Sequence, residues 1–74
     1  MINHHNAPQY SHRGYLYQPF IEHEDEEGIR KATHLFINRA DPSDIMQCAE
    51  HTPYEWMTFD QSKAFIDKMI KVRS

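Results

Sequence analysis

Apolar and polar side chains alternate through the middle of this chain and then settle into a helical rhythm near its end. Tyr15-Leu16-Tyr17-Gln18-Pro19-Phe20-Ile21-Glu22-His23 is aromatic and β-favouring, which predicts a strand. Pro19 has no N–H to give a ladder, so that strand should lie at a sheet edge or carry a bulge there. Glu24 to Gly28 predicts a solvated turn. The next run, residues 29–38, ends in β-branched and aromatic residues and pairs with the first strand as a hairpin. Within it Ile29, Thr33, Leu35 and Ile37 share one face, interrupted by Lys31, and Ala32, His34 and Phe36 share the other. Residues 39–44 predict a second turn. Beyond it the pattern reads two ways. Asp41-Pro42 resembles a helix start, whereas Ile45, Gln47 and Ala49 alternate with Met46, Cys48 and Glu50 as in a strand. The strand is preferred, because two strands alone make a marginal sheet.

Thr58-Phe59-Asp60-Gln61 has the form of a capping box. Behind it Phe59, Ser62, Phe65, Ile66, Met69 and Ile70 fall on one face at helical spacing, while Lys63, Asp67, Lys68 and Lys71 lie elsewhere. Asp60 at the start and Lys71 and Arg73 at the end complement the helix dipole. The expected fold is therefore α+β, a small antiparallel hairpin or three-stranded sheet packed by a C-terminal amphipathic helix. Its order is β-β-β-α, with β-β-α-α as the alternative. Residues 14–74 form the single domain. Residues 1–13 are polar and without period, and predict a flexible arm.

At 74 residues the core must be thin. Cys48 is the one cysteine, so no disulfide can form within the chain, and a reducing compartment fits best. No segment is apolar enough to span a bilayer, and the first residues lack the basic start and apolar run of a signal peptide. The expectation is a cytoplasmic protein. A net charge of -3 argues against a dedicated nucleic-acid binder.

Candidate chemistry is sparse. His4 and His5 adjoin in the arm with no Cys-x-x-Cys or His-x-x-x-His beside them, so no metal or cofactor is expected beyond weak uptake of nickel or zinc. His23 and His34, on neighbouring strands, read as sheet-surface residues or as a pH-sensitive pair. Cys48 and His51 would share a face on a helix and part on a strand, and no orienting acid or oxyanion donor accompanies them. Catalysis is not expected. Glu24, Asp25, Glu26 and Glu27 form an acidic tip that is either a solvated turn or a steering patch for a basic partner. Tyr54, Trp56 and Met57 gather before the helix, and such residues are enriched at interface centres. Trp56 can equally close the core. If the helix covers the opposite face, Tyr15 and Tyr17 stand exposed on an edge strand, open to strand addition.

Pro53-Tyr54-Glu55-Trp56-Met57-Thr58, followed by a capped amphipathic helix, resembles a pattern in small bacteriophage and prophage proteins. In that group a strand hairpin leads through a Ser/Thr-Pro-Tyr loop into a terminal helix. The resemblance covers residues 15–70 in layout and those six in motif. It implies a phage-encoded modulator or inhibitor of a host protein. The expected contact surface comprises Tyr15, Tyr17, Glu24, Asp25, Glu26, Glu27, Tyr54 and Trp56. The partner is a host protein or a second copy. The alternative is a nucleic-acid accessory protein that uses Lys63, Lys68, Lys71 and Arg73 on the basic side of the helix.

Overall fold

The computed structural model describes residues 7–24, 26–27 and 30–73. Five short strands precede one helix: β1 (Tyr10–His12), β2 (Tyr15–Tyr17), β3 (Phe20–Glu24), β4 (Arg30–Asn38), β5 (Ile45–Cys48) and α1 (Phe59–Arg73). The α+β class and the C-terminal helix are as the sequence pattern predicts. The disputed segment after Asp44 is a strand, not a helix. Asp41 closes the preceding turn instead of capping a helix: its carboxylate accepts from the Ser43 backbone N–H at 3.2 Å and from the Ser43 hydroxyl at 2.6 Å.

Strand β4 organises the sheet. It pairs antiparallel with β2 and β3 along one edge and with β5 along the other. The long first strand of the sequence pattern is interrupted at Gln18-Pro19, so β2 and β3 follow each other along β4. Gln18 still donates its N–H to the Leu35 carbonyl at 2.8 Å. Successive N–H groups point to opposite sides of a strand, so the one Pro19 lacks would point away from β4. There β1 has already ended, since Tyr10 sits opposite Tyr17. A bulge follows between Ile21 and His23.

Residues 10–12 belong to the sheet, where the polar composition predicts a flexible arm; residues 1–6 lie outside those described. Two forces recruit them. Arg13 and Gly14 both take positive φ, 52° and 83°, the geometry of a two-residue type I′ hairpin turn. Tyr10 also stacks on Tyr17, with ring centroids 5.7 Å apart.

The core lies between α1 and one face of the sheet. It contains Tyr15, Tyr17, Phe36, Met46, Cys48, Met57 and Ile66, with Tyr10, Phe65, Met69 and Ile70 packed around them. Complete burial of a side chain such as Phe36 or Ile66 contributes about 1.5–3 kcal/mol. The capping box forms as the sequence implies. The Gln61 N–H reaches the Thr58 hydroxyl at 3.1 Å, and the Thr58 N–H reaches the Gln61 side-chain oxygen at 2.9 Å. No helix among the described residues is long and apolar enough to cross a membrane.

The facing of the first hairpin reverses one expectation. Tyr15 and Tyr17 are 7% and 0% exposed, and β2 is an inner strand between β1 and β4. Tyr15 and Tyr17 therefore cannot serve as an exposed aromatic edge. The reason is area: with Tyr10, Phe36 and Met46 they make the larger apolar face, and α1 covers that one.

Candidate functional site

Burying two tyrosines on the helix side requires partners for two hydroxyls. Tyr17 Oη lies 2.7 Å from Nδ1 of His34 and accepts the Met57 N–H at 3.2 Å. His34, 1% exposed, turns its Nε2 to the Thr52 carbonyl at 2.8 Å. A carbonyl can only accept, so Nε2 carries a hydrogen. Neutral His34 then accepts at Nδ1 from the Tyr17 hydroxyl. Every polar atom of the chain Met57–Tyr17–His34–Thr52 is satisfied in that arrangement. Burial pushes the Tyr17 phenol up to about 12, against the opposing pull of the Met57 N–H. Burial lowers the His34 imidazole, although its bond to Thr52 opposes the shift and a charge on His51 would add to it.

Tyr15 donates to Asp44, whose carboxylate also receives Asn38 Nδ2 at 3.2 Å and Arg73 at 3.0 Å. Arg73 donates to Tyr15 Oη as well, at 3.0 Å. The donated Tyr15 bond, then that from Asn38, holds the Asp44 carboxyl below its usual range. These are ties within the fold, and they account for both buried tyrosines.

The remaining expected contact residues lie nearer the hairpin tip. Glu24 is bound by Arg30 at 2.7 Å, and Glu22 by the Thr33 hydroxyl at 2.6 Å with Lys31 at 3.7 Å. Glu22 and Glu24 are thus matched by their own strand partners. Glu26 and Glu27 are exposed, and Asp25 lies outside the described residues. Ala32 donates its N–H to the Pro53 carbonyl at 2.9 Å, which brings Tyr54 to the tip end of β4. Tyr54 is 47% exposed, while Trp56 is half-buried. His23 is exposed beside Lys31, and His34 is buried, so the two do not pair as a surface couple.

The sequence reading misses the sheet's second face. Cross-strand partners share a face, so Leu16, Ile37 and Ile45 form one row across three strands. Leu35 lies beside that row, and Phe20 stands across from Thr33 beyond it. Ile45 is 50% and Phe20 61% exposed, with no second layer over them among the described residues. The signal was present: Thr33, Leu35 and Ile37 alternate with Ala32, His34 and Phe36, so both faces of β4 are apolar.

Other constellations stay apart. Cys48 ends β5, His51 follows in the bend, and no hydrogen bond joins them among the described residues. A groove of about 310 Å³ runs beside them, over Met57 and Phe65. His51 lines that groove, and its buried Nε2 has no hydrogen-bond partner among the described residues. No three His, Cys, Asp or Glu side chains gather as metal ligands among the described residues. The basic side of α1 is largely engaged: Lys63 with Asp60, Lys68 with Glu50, and Arg73 with Asp44. His4 and His5 lie outside the described residues.

No protein-family model, no curated protein and no solved structure matches this chain.

Proposed function

We propose that the chain is a protein–protein interaction module that docks through the open face of its sheet and works by contact, not catalysis. The carrying observation is the apolar row Leu16–Ile37–Ile45 on the face opposite α1, flanked by Leu35 and Phe20, in which Ile45 and Phe20 are exposed and Leu16, Leu35 and Ile37 are partly buried. A sheet with one covered face ordinarily turns polar residues outward on the other, and a contiguous apolar patch marks a contact site.

The occupant that fits is a different protein, with an apolar patch and a basic rim. The hairpin end of the face carries Glu22, Glu24, Glu26 and Glu27 against Arg30 and Lys31, a surplus of carboxylate. The chain's net charge of -3 has the same sign. A second copy would bring the same surplus to the contact, whereas a basic surface is steered toward it. A stable contact needs roughly 800 Å² from each side, so most of the sheet face takes part. The resemblance to small phage proteins supplies the class of partner, a host protein whose surface is occluded.

The test compares tagged native protein with Ile45→Lys, a substitution at a half-exposed position whose folding circular dichroism can check. The proposal expects one bacterial protein held by the native form, directly and in purified form, and released by the variant. Salt should slow its association. Equal retention by the variant overturns the surface. Sedimentation showing a native dimer that Ile45→Lys dissociates would replace the partner with a second copy.

A further inference from the structure

We propose that His34 is an acid-operated latch on the segment joining β5 to α1. Both ends of residues 52–57 hang on this one imidazole. Thr52 is held directly, by its carbonyl, and Met57 through the Tyr17 hydroxyl. The Ala32 N–H to Pro53 carbonyl bond lies between them.

The latch closes only around a neutral ring. Nε2 must donate to Thr52, so an added proton can enter only at Nδ1. Nδ1 would then donate to the Tyr17 oxygen, which already accepts from Met57. That oxygen would accept twice, and the phenolic hydrogen would lose its acceptor. Tyr17 is fully buried and has no other hydrogen-bond partner among the described residues, so neither water nor a side chain can take that hydrogen. Among the described residues the His34 ring has no ion-pair partner, and a charge buried without a counter-ion is costly.

The groups around the ring do not relieve this. Tyr17 faces it from β2 and Cys48 from β5, while His51 meets it edge-on from the connecting segment, centroids 4.9 Å apart. A cavity of about 200 Å³ opens beside the ring, and Glu22 and Lys31 also line it. Glu22 is already bound by Thr33 and Lys31. The relief available is for the 52–57 segment to lift, letting water reach the imidazolium through that cavity. Strand β4 keeps its ladders to β2 and β5 meanwhile, so the opening is local.

Amide hydrogen exchange in the native protein tests this, read residue by residue by NMR from about pH 7.5 to about pH 5, which spans the ordinary histidine range. The expected result is at least a tenfold loss of protection at Met57 and Ala32, corrected for intrinsic exchange. Protection at Phe36 and Ile37 should hold. The loss should track titration of the His34 ring protons, not those of exposed His23. His34→Gln presents one donor and one acceptor and cannot be charged, so in that variant Met57 protection should cease to depend on pH. Should the variant not fold, the coincidence of ring titration and Met57 exchange decides the matter alone. Unchanged protection at Met57, loss at every amide together, or the same pH response in folded His34→Gln would each overturn the latch.

Discussion

Arg73, in the last turn of α1, reaches Asp44, in the turn before β5, with a nitrogen–oxygen separation of 3.0 Å. The same guanidinium donates to the Tyr15 hydroxyl, which itself donates to Asp44. One carboxylate therefore ties the end of the helix to two separate parts of the sheet. Its folded-state affinity for protons is lowered chiefly by the Tyr15 bond, then by Asn38 and Arg73. The stability this provides is present above the ordinary aspartate range and is lost as pH falls through the lowered folded value. Asp44→Asn should flatten the most acidic part of a stability–pH curve measured by urea unfolding. An unchanged acid limb would show that the tie contributes nothing.

His34 acts in a higher pH window. Its proton affinity is lowered by burial in the folded protein, so the unfolded chain takes up a proton first as pH falls. The stability linked to neutral His34 is full above about pH 6.5 and declines as pH drops from there through the folded value. Native protein should lose stability across that window, and His34→Gln should lose less. Parallel native and variant curves would contradict this account of the buried ring.

The two faces of the sheet predict opposite sensitivities. Phe36 is wholly buried against Phe65, with centroids 4.8 Å apart, and Phe36→Ala should cost about 3–5 kcal/mol. Ile45→Lys, on the uncovered face, should change stability by no more than about 0.5 kcal/mol. Denaturant midpoints for the pair check the assignment of faces. A large loss from Ile45→Lys would mean that this face is covered.

Gly14 stands at a φ of +83°, and a methyl group there would meet nothing within 4 Å. Space is therefore not the constraint; backbone conformation is. Gly14→Ala should cost about 1 kcal/mol in chemical denaturation. Arg13→Asn tests the turn from its other central position. Asparagine tolerates positive φ, while the substitution removes the 3.1 Å contact from Arg13 to Asp67, an exposed pair of small worth. A net gain in stability is expected.

Much of the architecture was legible because local chemistry dictated it. Thr58 and Gln61 announced the helix start, and the helical spacing of Phe65, Ile66 and Met69 announced its buried side. Met46 and Cys48 alternated with exposed neighbours as a strand requires. What could not be read was which sheet face α1 would choose, because alternation separates two faces without ranking them. The exposed position of Tyr15 and Tyr17 followed only if α1 covered the opposite face. In the fold each ring is buried and its hydroxyl is matched, to Asp44 in one case and to His34 and Met57 in the other. Strand β1 was hidden for a related reason. Ser11 and His12 carry no β signal, and their pairing comes from the Arg13-Gly14 turn and the stacking of Tyr10 on Tyr17. The candidate contact face went unnoticed because Leu16, Leu35 and Ile37 look like ordinary core until the opposite side proves to be the covered one.

The helix that covers this core is made after all five strands. Ribosomes deliver β1 through β5 first, and their aromatic face holds Tyr15, Tyr17, Phe36 and Met46 bare until Ile66 emerges. During that interval the nascent sheet shows water two apolar sides instead of one. A ribosome stalled before residue 59, or a protease that trims α1, would leave a sheet with two apolar faces, the kind of surface that aggregates.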